Sequence, residues 1–166
     1  MSWFRLSGAV LACMVLALSG CASKPAKPVA VKAVILASAD VNPDDQGRPS
    51  PVVVRIYQLR DNAAFLDADA GEAGYAALVD REKETLGASL ILRAEQPVFP
   101  GQKVELDLTL SPDAHFIGAI AEFRDVRSTS WRASFGSVAK PVLKMISKNK
   151  VTIRVGQRDI KVSTRD

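Results

Sequence analysis

Cys21 is the side chain in this 166-residue sequence whose neighbours best suit a reaction. It follows Leu18-Ser19-Gly20, and residues 6–18 before it are apolar except for Ser7 and Gly8, behind a single basic Arg5. A basic start, a short apolar core and small residues at the cut describe a secretory signal over residues 1–20, and the apolar run is too short to span a bilayer, which takes about 20 residues. Leu-Ser-Gly-Cys has the pattern of a bacterial lipobox. Its thiol accepts a diacylglycerol, the chain is cut just before the cysteine, and the new amine is acylated. A buried methylene is worth roughly 0.8 kcal/mol, and one acyl chain alone binds marginally, so two or three chains hold firmly.

The other reactive residue types do not assemble into a site. His115 is the one histidine; it has no partner for a triad, and one ligand does not make a metal centre. The stretch Asn42-Pro43-Asp44-Asp45-Gln46-Gly47 places oxygen ligands as the start of a calcium loop does, but Val53 stands where a bidentate glutamate belongs. It reads as a strand-connecting turn. Asp67 and Asp69 read as solvated carboxylates near a helix end rather than an acid–base pair. There is no nucleophile elbow, phosphate-binding glycine loop or paired-histidine motif. The sequence predicts no enzyme, no metal and no cofactor beyond the covalent lipid on Cys21.

Removing 20 of the 166 residues leaves 146, enough for one domain with a core. The loss of Arg5 takes the formal charge from +4 to +3. The clearly basic stretch is the last one, with Lys140, Lys144, Lys148, Lys150, Arg154 and Arg158; nucleic-acid or phospholipid contact is one reading, but with no aromatic interleaving or nucleic-acid motif beside it, it reads rather as a solvated face near a membrane. Both cysteines lie at or before the anchor, so packing alone must hold the mature domain. Residues 21–30, with Lys24-Pro25 and Lys27-Pro28, make a semi-extended tether.

The elements that remain are strands. In Lys103–Leu110, Val104, Leu106, Leu108 and Leu110 alternate with Lys103, Glu105, Asp107 and Thr109. Val151, Ile153 and Val155 do the same, and after the turn at 156–159 Ile160 and Val162 complete a terminal hairpin. Residues 31–39, 51–59 and 116–123 are apolar on both faces, as strands inside a layered structure are. Residues 89–94 and 131–135 are shorter strand candidates, and Pro97, Pro100-Gly101 and Ser111-Pro112-Asp113 read as turns. Residues 61–84 are rich in Ala, Asp and Glu with helical spacing, divided by Gly71 and Gly74 into two short helices. The expectation is an all-β, two-sheet sandwich over residues 31–166 with a small helical insert.

With these residues in order, the chain resembles the TssJ family, the outer-membrane lipoprotein of type VI secretion systems. The resemblance runs through Val41-Asn-Pro-Asp-Asp-Gln-Gly-Arg-Pro-Ser-Pro51, the strand Val52–Leu59, Phe65, Leu86-Gly87, Pro100-Gly101, and Ile117-Gly-Ala-Ile-Ala-Glu-Phe-Arg-Asp125 followed by Trp131-Arg132. It implies a transthyretin-like β-sandwich with extra helices, hung from the outer membrane on its periplasmic face. It also implies binding to the periplasmic C-terminal domain of TssM, and with TssL an envelope-spanning complex. The family's main TssM contact is the loop between the first two strands, here residues 38–50. In it Asn42, Asp44, Asp45, Gln46 and Arg48 are the candidate partner-binding tips on a proline-stiffened frame. Ala22, rather than Asp, after the cysteine resembles a cargo sorted to the outer membrane. Two other readings stand beside this one. One is a carbohydrate- or envelope-binding lipoprotein on the same sandwich, and the other an envelope enzyme needing a deep pocket at His115.

Overall fold

A computed structural model describes residues 27–146 and 148–164. The signal, Cys21 and most of the tether lie outside the described residues. Eight strands form two four-stranded sheets. The strands are β1 (Val29–Ala37), β2 (Val52–Leu59), β3 (Leu90–Val98), β4 (Lys103–Leu110), β5 (Phe116–Ala121), β6 (Arg132–Gly136), β7 (Lys150–Val155) and β8 (Ile160–Ser163). One sheet runs β4-β1-β7-β8 and the other β3-β2-β5-β6. All pairs are antiparallel except β1 with β7.

Register follows the hydrophobic alternation, because a slip of one residue would turn every apolar side chain outward. Val31, Ala33 and Ile35 of β1 lie opposite Leu108, Leu106 and Val104 of β4, and Ala33 and Ile35 lie opposite Val151 and Ile153 of β7. These form the inner face of the first sheet. On its outer face Lys32 pairs with Glu105 at 3.2 Å, and Glu105 with Lys103 at 2.9 Å. The inner face of the second sheet offers Val54 and Ile56 of β2 with Ala121 and Ala119 of β5. The buried Gln58 ties the two sheets: its Nε2 donates to the Thr109 carbonyl at 2.8 Å and its Oε1 accepts from the Ser111 N–H at 2.9 Å.

The second sheet is apolar on its other face as well, because the insert covers it. The insert holds three short helices, not the two expected: α1 (Ala63–Asp67), α2 (Glu72–Val79) and α3 (Glu82–Leu86), followed by a 3-10 turn at Gly87–Ser89. Gly74 does not divide the helices. It lies inside α2, where an added Cβ would sit 1.9 Å from the Asp69 carbonyl oxygen, so this glycine permits close packing of helix on backbone. Phe65 is fully buried, its ring 5.7 Å from that of Tyr57, and the Tyr57 hydroxyl donates to the Leu78 carbonyl at 3.2 Å. Trp131 Nε1 donates to the Ala70 carbonyl at 2.6 Å, and Arg132 lies 4.7 Å over the Trp131 ring while Nη2 bonds the Leu66 carbonyl at 2.7 Å. Pro97, expected in a turn, is inside β3 opposite Val53; β3 is an edge strand, where a missing N–H costs no ladder bond.

Candidate partner-binding end of the sandwich

The loop between β1 and β2 is folded on a clamp of its own residues. Asp44 Oδ1 accepts from the N–H groups of Gln46 and Arg48, both at 2.9 Å. Its Oδ2 accepts from Arg48 Nε at 2.8 Å and Nη2 at 2.7 Å, a two-pronged pairing. The Arg48 guanidinium, first through this bond, holds the Asp44 carboxyl below its ordinary range. Asp44 N donates to the Arg48 carbonyl and Gly47 N to the Asp44 carbonyl, and Gly47 supplies the turn with a φ of 75°. The Asp44 carboxylate is therefore occupied by a guanidinium rather than open to a cation. Among the described residues no group of three or more His, Cys, Asp or Glu is placed to hold a metal.

Asn42 is not at the tip. It is 4 % exposed, with a left-handed φ of 50°, which Asn tolerates better than most residues. Its N–H donates to the Gln157 carbonyl in the β7–β8 turn at 3.1 Å, and its Nδ2 to the Pro51 carbonyl at 2.6 Å. Its Oδ1 accepts from Arg124 N in the β5–β6 connection at 2.9 Å, and its carbonyl accepts from the Ser50 hydroxyl. One buried residue, through its backbone and side chain, thus joins three separate connections at one end of the sandwich. What the loop presents to solvent is Asp45, Gln46, Gly47, Arg48 and Pro49. Of the five residues expected at the tip, Asp45, Gln46 and Arg48 are there, while Asp44 is half-buried and Asn42 is frame.

The same end carries an exposed aromatic that sequence reasoning missed. Phe99, 57 % exposed, sits in the β3–β4 turn with Pro100 and Gly101, whose φ is 72°. That turn is fastened to the start of the loop: Gly101 N donates to the Ser38 carbonyl at 2.9 Å and Ala37 N to the Gln102 carbonyl at 2.9 Å. The available signal was an aromatic between Pro97 and Pro100, too stiffly turned to fold back into the core. Beside the loop lies a shallow depression of about 360 Å³ lined by Leu36, Ser38, Arg154, Val155, Asp159 and Lys161. The Ser38 hydroxyl is buried there without a hydrogen-bond partner. The β7–β8 turn bonds the β5–β6 connection directly as well, Arg158 Nη1 donating to Ser128 Oγ at 3.0 Å.

The groups considered for chemistry lie elsewhere. His115 is at the opposite end, its Nδ1 3.2 Å from the Ser137 carbonyl. Asp69 accepts from the Gly71 N–H at 2.7 Å and shapes the entry to α2. What this end can do is present a rigid polar loop and one aromatic to a protein surface.

Known proteins carry the same fold. Residues 29–158 match the family described as type VI secretion lipoprotein, VasD, EvfM, TssJ. The crystal structure of the type VI lipoprotein TssJ1 from Pseudomonas aeruginosa is 25% identical with a TM-score of 0.67, the match covering 84% of this chain and 98% of that one. The Serratia marcescens Lip protein, described as a membrane-bound component of the type VI secretion system, is 27% identical with a TM-score of 0.68 over 84% and 99%. A chain of the structure described as the type VI TssM C-terminal domain (869–1107) from EAEC is 28% identical with a TM-score of 0.62 over 81% and 97%. The chain has no match among curated protein sequences. A match spanning most of the sequence, the two sheets with their helical cover, and the loop in its expected place agree: the chain belongs to the type VI secretion lipoprotein family.

Proposed function

We propose that the mature chain is a passive mechanical link of the type VI membrane complex. Acylated Cys21 sits in the inner leaflet of the outer membrane, and the far end of the sandwich grips the periplasmic domain of TssM in a complex with TssL. The observation that carries this reading is the direction of β1. The strand leaves the tether at Val29 and delivers the loop after Ala37, so its nine residues place the loop about 30 Å from the end of the sandwich where the tether enters. The loop reaches away from the membrane, toward a partner that crosses the periplasm.

The loop's construction supports the same reading. A surface already rigid in the free protein loses little entropy on binding, and here Asp44, Arg48 and Asn42 hold the tip in shape. Phe99 adds the exposed aromatic that tight interfaces centre on. The EAEC structure described by its TssM domain holds a chain that 81% of this one covers to 97%, which is far shorter than residues 869–1107. A relative of this chain therefore shares that structure with TssM. Confinement by the lipid raises the local concentration of the loop near TssM without a further contact. The reading assigns the chain no catalysis and no cofactor besides its lipid; Ala22 favours the outer membrane.

The test is calorimetry of the mature chain, with Cys21→Ser to keep it in solution, against the periplasmic domain of the TssM from the same organism. Saturable binding at micromolar concentration or tighter supports the reading. Its absence moves the chain to a different envelope-binding role on the same fold.

A further inference from the structure

From Val126 to Arg158 the sequence contains no Asp or Glu, yet it contains Lys140, Lys144, Lys148 and Lys150. The fold shows where this acid-free stretch goes. Lys32 N donates to the Asn149 carbonyl at 2.8 Å and Lys32 lies opposite Lys150, so the approach to β7 runs beside the first residues of β1. Val142 N donates to the Ala114 carbonyl at 2.8 Å, and Ser137 N to the His115 carbonyl at 3.2 Å, which fixes the rest of the segment beside the end of β4, where Val29 pairs with Leu110. The described residues from Ser137 to Lys150 are therefore gathered around the point where the tether enters.

Val142 is buried and anchors the segment, while its lysines are turned outward. Lys140, Lys144 and Lys148 are exposed and make no ion pair among the described residues, and Lys27, two residues before β1, is exposed as well. Val138 is 75% exposed, the most open large hydrophobic among the described residues. Lys148 and Asn149 hold left-handed φ angles of 53° and 49°, a backbone bend at the exposed rim. Against this charge stand Asp113, which faces Arg60 at 4.0 Å, and Asp61, which accepts the Ala63 N–H. Neither approaches the three lysines closely enough to pair with them. Lys32, Lys103, Arg55, Arg93 and Lys161, by contrast, each face a carboxylate.

We infer that this end is a membrane-docking face, on which Lys140, Lys144 and Lys148 sit on anionic phospholipid headgroups and Val138 dips among them. The inference rests on the lipid anchor at Cys21, which lies eight residues before Val29 and so within about 30 Å of it even with the tether fully extended. Docking would set the sandwich upright on the leaflet, instead of letting it swing on its tether, and would aim the β1–β2 loop into the periplasm. Each lysine at an anionic surface is worth about fivefold in partition, about 1 kcal/mol, so the three together contribute on the order of a hundredfold. That contribution is screened by salt within a Debye length of about 8 Å at physiological ionic strength.

The experiment uses the lipidated chain. With Cys13 removed and Cys21 acylated, a Val138→Cys substitution leaves one free thiol for an environment-sensitive fluorophore, and Gln46→Cys gives the same probe at the far end. The two proteins are mixed with vesicles of phosphatidylcholine alone or with one-third phosphatidylglycerol. Flotation with the neutral vesicles reads the anchor by itself. The docking face predicts a blue-shifted probe at 138 on the anionic vesicles only, reversed by 0.5 M salt and by Lys140→Gln, Lys144→Gln and Lys148→Gln together, with the probe at 46 unchanged. Flotation on neutral vesicles with the same emission at 138 in both compositions overturns it. If neutral flotation fails, the anchor is wrong. Retention on anionic vesicles that is lost in the triple variant would then still establish the face, and no retention would overturn that too.

Discussion

The backbone N–H of Arg124 donates to the side-chain oxygen of Asn42 at 2.9 Å across 82 residues of sequence. That bond joins the β5–β6 connection to the β1–β2 loop, and the same asparagine reaches Pro51 and Gln157. The shape of the loop is thus decided by contacts far from it in sequence, and the exposed tip inherits its position from a residue that no partner can touch.

Replacing Asn42 separates its two roles. Asn42→Ala leaves the Arg124 N–H and the Pro51 carbonyl unpaired and replaces asparagine with a residue that tolerates left-handed backbone less well. A loss of about 2–4 kcal/mol is expected. Asn42→Gly loses the same hydrogen bonds but accepts the φ of 50°, so it should be about 1 kcal/mol less destabilised. Urea unfolding of the three proteins measures this, and equal stability of all three would remove Asn42 from the frame.

The loop should ignore pH across the range in which a cell envelope works. Arg48, foremost, depresses the Asp44 carboxyl. A depressed carboxylate contributes order above its unfolded value of about 4 and loses it as pH falls through the lower folded value. Amide exchange at Gln46 and Arg48 should therefore stay protected relative to a free loop from pH 8 to pH 5 and lose protection only below about pH 4. Loss of protection near pH 6 would contradict the clamp.

Gly118 tests the helical cover. A Cβ there would meet Phe65 Cζ at 3.0 Å and Leu59 Cδ1 at 3.3 Å, so Gly118→Ala overpacks the contact between β5 and α1. A cost of about 1–3 kcal/mol is expected, and combining it with Phe65→Leu should recover part of that loss by opening space. Strict additivity of the two changes in thermal unfolding would show that the ring does not press on the glycine.

Cys21→Ser should leave the thermal unfolding of the domain unchanged while moving the protein from the membrane to the soluble periplasmic fraction. Fractionation and immunoblotting read the result, and a variant still in the membrane fraction would place the anchor elsewhere.

Much of this was readable from residue order. The charges of Lys103, Glu105 and Asp107 fix the solvent face of β4, so alternation gave its register directly. Residues 51–59 and 116–123 read as two-sided because they lie between the opposite sheet and the helices. The position of Asn42 was not readable: an asparagine among prolines and aspartates looks solvated, and its burial depends on Gln157 and Arg124, which no local pattern links to it. Gly74 misled for a related reason, since the close approach it permits involves Asp69 from outside the helix. The residues that carry the family resemblance mostly build the fold: Phe65 lies on Gly118, Trp131 bonds Ala70, and Leu86 is 3% exposed.

The central claim is that the exposed part of this loop end binds TssM while the buried part only shapes it. The direct measurement is calorimetry of the TssM periplasmic domain with the wild-type chain, an Asp45→Ala, Gln46→Ala double variant, and Phe99→Ser, each checked for unchanged thermal unfolding. The account predicts saturable wild-type binding and a Kd raised at least about tenfold in both variants, as truncation at an interface centre does. Wild-type affinity in both variants, with folding intact, would contradict it.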